Sequence, residues 1–290
     1  MRPSHALSSK AGGAVDIERE VDPATRRALF DQVRRHTGIV MSERKWTMLE
    51  GRLRRRLREL TLPDYRDYLE VLEAKPDEVR DFIDLVTTNE TSFFRTPRIW
   101  DYFAQQFLPR WFDARPDTPL RVWSAASSSG EESYTVAMLC EEFRLKHPAF
   151  RYRILATDIA DGILSKAAAA HYRGRNIEGL RQTHPELLDK YFSAQGDGFC
   201  AGAALRANVT FRKHNLHERP RDIGPIDVTL LRNVLIYFDA DGQQAVLENV
   251  RRAMAPDGVL IVGESESLSR FDMGFQYEQP LIYRNPRGRP

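Results

Sequence analysis

Cysteine is scarce: the 290 residues include two, Cys140 and Cys200. They stand far apart without metal-ligand spacing, so reduced structural thiols are expected rather than a disulfide framework or a zinc centre. No apolar run reaches the roughly eighteen residues that a membrane-spanning helix needs. The first residues also lack the apolar stretch of a secretory signal, which points to the cytoplasm. Neither sign of charge dominates, with 43 Lys and Arg against 41 Asp and Glu. Net charge therefore says little about partners, and the distribution has to be read instead. No Ser-His-Asp or Cys-His set stands out, and no internal repeat is visible.

What is present is ordinary for a globular chain: 42% hydrophobic and 29% charged residues, with length for one large domain or two modest ones. Residues 1–21 carry Ser, Gly, Ala and charge without periodic apolar positions and read as a flexible tail. Residues 22–90 read as a helical domain. Asp22-Pro23 offers an N-cap followed by proline at the first helical position. Leu49, Leu53, Leu57 and Leu60 then fall on one stripe. Leu62-Pro63-Asp64 breaks that helix, and 65–72 and 77–86 read as two more. Residues 91–119 form a linker and connecting helix.

From residue 120 to 290 the pattern changes to short apolar runs alternating with helices. Strands are expected at 120–126, 152–157, 226–231 and 258–262, with helices at 131–145 and 162–170. Such alternation implies an α/β fold with a parallel, doubly wound sheet. The stretch 174–210 breaks the alternation and reads as an insertion or small subdomain.

Four segments carry candidate chemistry. Val122 to Glu132 runs a strand into a loop of small residues (SAASSSG) and then a helix, which lets backbone approach a ligand at the carboxyl edge of a sheet. Asp158 ends the next strand, where a carboxylate can accept from ribose hydroxyls; equally, Asp158 or Asp161 can cap the following helix. Asp227 to Asp239 should leave Arg232, Asn233 and Tyr237 at the same edge, as ligand contacts or as structural residues. Thr87 to Arg95 suits either a cleft lining or a helix terminus packed on the core.

Read in order, TTNETSFFR, RVWSAASSSGEE, ATDI, LLRNVLIYFD and APDGVLIVGESESL resemble the motifs of the chemotaxis receptor methyltransferase (CheR) family, over residues 22–284. The resemblance implies an all-helical N-terminal domain, then a Rossmann-like methyltransferase domain carrying a small antiparallel β-subdomain. It implies S-adenosylmethionine as cofactor, leaving S-adenosylhomocysteine, and glutamates of bacterial chemoreceptors as substrate. By the same resemblance Asn89, Thr91 and Arg95 approach the cofactor from the helical side. Glu131 and Glu132 match the Gly-Glu-Glu motif, with Glu132 favoured as the closer contact. Asp158 holds the ribose, Asn215 and Leu216 lie beside the adenine, and Arg232, Asn233, Val234 and Tyr237 border the transfer site. Ser133 and Glu264 depart from the usual proline and histidine.

A glutamate is already ionised at neutral pH, so its methylation needs alignment and desolvation rather than a general base. Arg95 or Arg232 is expected to orient that carboxylate, and Tyr237 to lie against the sulfonium or bond the glutamate. Five of the seven residues from Arg52 to Arg58 are arginine. With the leucines inward, Arg52, Arg55 and Arg56 should project outward, as a solvated face or, by the resemblance, toward an acidic receptor surface. No dimer seam is visible, and a monomer is expected. Two other readings compete: methylation of another substrate, such as a nucleic acid or small molecule, and a silent cofactor-binding signalling module. Against nucleic acid, the catalytic half lacks an aromatic-rich basic stretch to stack flipped bases.

Overall fold

The computed structural model describes residues 21–271 and 273–286. The expected tail lies outside the described residues except for Val21, which is buried in the helical core.

The helical domain comprises α1 (Pro23–Thr37), α2 (Trp46–Leu60), α3 (Tyr65–Ala74) and α4 (Pro76–Val86). Its boundaries follow local chemistry. The Asp22 carboxylate accepts from the amides of Ala24 and Thr25, Pro23 occupies the first turn, and Gly38 ends α1 at φ 74°. Leu49, Leu53 and Leu57 are fully buried, while Leu60 is half-buried. Thr61, left-handed at φ 56°, ends α2 before Pro63.

The arginine run corrects an expectation. Arg52 donates to the carbonyls of Leu85 and Thr87 at 2.9 Å each, closing α2 onto the end of α4. Arg56 is held by Glu78, Asp81 and Glu59, and the buried Glu78 also accepts from the Tyr68 hydroxyl. Neither projects freely, because carboxylates and open carbonyls of α4 lie within reach. Arg55 does project, its side chain 77% exposed beside Glu59.

The run 97–114 is more than a connection. It forms α5 (Pro97–Tyr102), a five-residue π-helical stretch and α6 (Leu108–Ala114), and its Trp100, Phe103, Phe107 and Trp111 are buried in the core under the sheet.

The main sheet uses β1 (Leu120–Ala125), β2 (Tyr152–Asp158), β6 (Val209–Lys213), β7 (Ile226–Leu231), β8 (Met254–Val262), β9 (Gln276–Gln279) and β10 (Ile282–Arg284), in the order β6-β2-β1-β7-β8-β10-β9. The first five run parallel, and the β8–β10 and β10–β9 pairs are antiparallel. From β1 the chain first adds strands on one side and then on the other. That reversal places the ligand crevice at the carboxyl ends of β1 and β7. Helices α7 (Glu131–Lys146), α8 (Asp161–Ala169) and α12 (Ala240–Ala253) connect the strands.

A separate antiparallel sheet β3-β5-β4 is built from β3 (His171–Tyr172), β4 (Phe192–Gln195) and β5 (Gly198–Ala201), with α9 (Arg175–Thr183), α10 (Pro185–Tyr191) and α11 (Ala203–Arg206). The small sheet starts at His171, before the expected 174, and residues 209–210 belong to the main-sheet edge strand β6. The half-exposed alternation of Val209–Lys213 and the polar β9 offered no continuous apolar run to reveal them.

One apolar cluster runs from the helical domain through Trp123, Ala125 and Leu231 to α12, so the two domains share a core. The Asp84 carboxylate, on α4, accepts from the first-turn amide of Gly162 on α8 at 2.9–3.0 Å. Replacing Asp84 by alanine should lower the unfolding free energy by about 1 kcal/mol, the usual worth of such a cap. It should also speed hydrogen exchange at the Gly162 amide, and unchanged protection there would show that the cap does not operate.

Candidate active site

Three strand ends and one interdomain loop meet at the crevice. β1 runs into the small-residue loop, whose Ser127 amide donates to Thr157 O at the end of β2. Ala126 (φ 63°) and Ser128 (φ 50°) are left-handed without being glycine, and Gly130 (φ 94°) starts α7. Such strain persists only where surroundings over-determine the backbone. Here Ser128 donates its amide to Asp158 Oδ2 (2.9 Å) and its hydroxyl to Asn89 O (2.9 Å), stitching the loop to β2 and to the helical side.

Asp158 is buried, and its other oxygen accepts from Ala160 N at 3.1 Å. Its carboxyl is pushed above the ordinary range, burial outweighing the amide bonds that favour the anion. Each oxygen retains acceptor capacity toward hydroxyl donors.

At the end of β7, Arg232 is almost wholly enclosed. Nη1 pairs with Glu132 Oε2 (2.9 Å), and Nη2 donates to Arg95 O (2.8 Å). Its guanidinium lies over the Trp100 ring, and Glu132 also accepts from Ser124 Oγ at 2.7 Å. Beyond Arg232 the chain turns through Asn233 (φ 58°). That turn is held by Glu266, whose carboxylate accepts from the amides of Gly263, Asn233, Val234 and Leu235 at 2.7–2.8 Å. Gly263 is needed there: a Cβ on it would meet Glu266 Oε2 at 2.7 Å and Asn233 N at 2.8 Å.

These elements enclose a cleft at the carboxyl edge of the sheet. It is lined by Asn89, Thr91, Arg95, Glu132, Asp158, Asn215, Leu216, Arg232, Asn233, Val234 and Tyr237, so the structure gathers these expected residues in one place. Glu131 is the exception. It is fully buried outside the lining, turned toward Ser129 and Asn176, because consecutive helix positions face about 100° apart. The lining also includes Thr87, Ser128, Ile159 and Phe238 from the segments picked out in the sequence, and Thr37, Ile39 and His214, which sequence reasoning did not single out. Glu266 was missed as well. Its signal was an acidic residue three beyond Gly263 in a strand-ending loop.

Within the lining the two expected arginines differ. Both terminal nitrogens of Arg232 are engaged inside the protein, whereas Arg95 is exposed and, among the described residues, its Nη1 bonds Glu90 O at 3.2 Å. Burial pushes the Tyr237 hydroxyl further up, which keeps it a neutral donor. Burial lowers His214, which keeps it neutral.

A doubly wound sheet with strained small residues at its switch point and a buried carboxylate ending the next strand defines an α/β protein that takes an adenosine-type ligand. Comparison with known proteins gives the family. Residues 25–87 match the model of the CheR methyltransferase all-alpha domain, and residues 89–281 that of the CheR methyltransferase SAM binding domain. Chemotaxis protein methyltransferase 1 of Pseudomonas aeruginosa is 32% identical over 85% of this chain and 92% of its own length. The chemotaxis protein methyltransferase of Escherichia coli is 34% identical over 89% of each. Chemotaxis protein methyltransferase 2 of P. aeruginosa is 38% identical over 82% and 86%. The chain belongs to the CheR methyltransferase family of chemotaxis, and its cofactor is S-adenosylmethionine. The cleft suits that group: the Asp158 carboxylate offers acceptors for hydroxyls, Leu216, Ile159 and Phe238 offer apolar surface, and the small-residue loop borders the same space.

Two outcomes follow. Arg232→Ala leaves Glu132 without its partner in an enclosed site, which should cost about 3–5 kcal/mol in urea unfolding even without ligand. A stability close to wild type would instead mark Arg232 as a ligand contact alone. The second concerns pH. The folded pKa of Asp158 lies above its unfolded value, so the folded protein binds the proton more tightly, and keeping the buried anion opposes folding at neutral pH. Ligand hydroxyls that bond the anion relieve this. Binding of S-adenosylhomocysteine should therefore weaken as pH falls through the raised Asp158 pKa, above the ordinary value of about 3.9. In Asp158→Asn, calorimetry should find weaker binding at neutral pH and the slope gone.

Proposed function

We propose that this chain methylates specific glutamate side chains on chemoreceptor cytoplasmic domains, acting as a monomer in the cytoplasm. The observation that carries this is the rim of the cleft. There Arg95 and Tyr237, from different domains' edges, present an exposed guanidinium and a protonated hydroxyl beside the cofactor residues. That set suits a nucleophile that is already an anion and needs only to be held and desolvated.

S-adenosylmethionine supplies a methyl group on a sulfonium. The protein's residues do the rest. Asp158 accepts from the ribose hydroxyls, and Asn215 and Leu216 border the adenine. Glu132, with Asn89, Thr91, Asn233 and Val234, surrounds the amino-acid end. Arg95 orients the substrate carboxylate through paired N–H donors, Tyr237 donates to it, and Arg232 positions Glu132 and the Arg95 backbone. Of the three arginines expected at a partner surface, Arg55 is the one free to meet acidic receptor segments; Arg52 and Arg56 act by shaping α2. Relatives named chemotaxis protein methyltransferase support the receptor as acceptor. No helix among the described residues is long and apolar enough to cross a membrane.

The test is transfer of labelled methyl to receptor-containing membranes, read as methanol released by base. Wild type should give base-labile label. Arg95→Ala and Tyr237→Phe should each reduce the rate at least tenfold, in line with lost orientation of a reacting group. Full activity in both variants removes this assignment, and base-stable label points to a different acceptor.

A further inference from the structure

Glu131 opens α7 beside Glu132, yet its carboxylate faces away from the cleft. It accepts from Ser129 Oγ at 2.6 Å and from Asn176 Nδ2 on α9. On β3 the Tyr172 hydroxyl donates to Ser129 O at 2.8 Å. Gly130 makes this approach possible, since a Cβ there would stand 3.1 Å from that hydroxyl. Two bonds from the inserted subdomain thus end on Ser129 and Glu131, immediately behind the cleft-lining Ser128.

The same subdomain reaches the opposite wall. The Phe93 ring packs edge-on against Tyr172 (4.9 Å between centroids) and Phe192 (5.6 Å). His184, at the start of α10, stacks on Phe94 at 3.8 Å. Phe93 and Phe94 directly precede Arg95, and Phe94 is held left-handed at φ 52°. A further polar attachment lies away from the cleft: Lys190 and Tyr191 bond Glu142 at 2.6 Å, eleven residues along α7 and so about 16 Å from its start.

We infer that the inserted subdomain is a positioning element of the transfer site, with Tyr172 and Asn176 holding the cofactor loop and Tyr172 and His184 holding the Arg95 loop. A displacement of β3 or α9 by anything seated on the subdomain is then felt as a change in cofactor affinity, and cofactor binding reciprocally stiffens the subdomain. The inference rests on the cofactor occupying the cleft and is independent of which carboxylate is methylated.

The test measures S-adenosylhomocysteine affinity by calorimetry and the ligand-free thermal midpoint, in the full chain. Tyr172→Phe combined with Asn176→Ala should weaken binding about tenfold, within the range for residues that couple without touching ligand. Tyr191→Phe, which removes the distant Glu142 bond, should lower the midpoint but leave affinity at the wild-type value. Unchanged affinity in the Tyr172 and Asn176 variants, or an equal loss in Tyr191→Phe, overturns the inference. Should the double variant fail to fold, Tyr172→Phe alone decides, because it removes one oxygen and keeps the ring packing. Failure of wild type to bind would instead count against the cofactor's place in the cleft, which separates the two outcomes.

Discussion

The site is organised around one enclosed ion pair, Glu132 with Arg232. Taking both charges out of water is expensive, and such a pair adds little net stability compared with apolar packing. What it supplies is position. Glu132 lies in the first turn of α7 and is bonded to Ser124 of β1, while Arg232 directly follows β7 and bonds the carbonyl of Arg95 in the interdomain loop. The pair therefore fixes two neighbouring strand ends and the exit of the helical domain relative to each other. The Trp100 face over the guanidinium completes the enclosure.

Around that pair the backbone is held in conformations it would not choose. Ala126, Ser128 and Asn233 line the cleft with positive φ, and Phe94 and Thr96 flank Arg95 with the same sign. Each costs on the order of 1–3 kcal/mol unless its surroundings compensate. The compensation is visible: four amide donors onto Glu266 for the Asn233 turn, and bonds to Asp158 and Asn89 for Ser128. A loop restrained in this way needs little reorganisation when ligand arrives.

The parallel sheet and the helical domain were legible because both are written in local apolar pattern. Leu49, Leu53 and Leu57 are buried as their spacing implies, and the strands at 120, 152 and 226 are largely apolar, each with a charged residue at its second position. The candidate site was legible mainly through ordered motifs, since small residues, Asp158 and Tyr237 each have an ordinary structural use. What spacing cannot show is which way a side chain's donors are spent. Arg52 and Arg56 lie on a helical face that looks solvent-directed, but α4 brings Glu78, Asp81 and two open carbonyls to them. Glu131 and Glu132 are adjacent and chemically identical, and only the helix rotation sends one to the cleft and the other to the subdomain. Strands β6 and β9 were hidden because edge strands can be half polar.

The cleft also straddles the domain boundary, and this constrains how the protein can work. Thr37, Ile39 and residues 87–91 come from the helical side, while Asp158, Asn215 and Val234 come from the sheet side. A hinge that opened the two domains would have to break the shared apolar core around Trp123 and Leu231 and the Asp84 cap on α8. Burial of that extent, at roughly 25 cal/mol per Å² of apolar surface, makes wide opening costly. Exchange of cofactor is therefore left to smaller movements of the loops that close the rim. The Arg95 side chain is the natural candidate, since it is exposed and, among the described residues, its guanidinium bonds Glu90 O, while its backbone carbonyl is held by Arg232. The Arg95 guanidinium at the rim is thus freer than the backbone that carries it, which the enclosed pair holds through the Arg95 carbonyl.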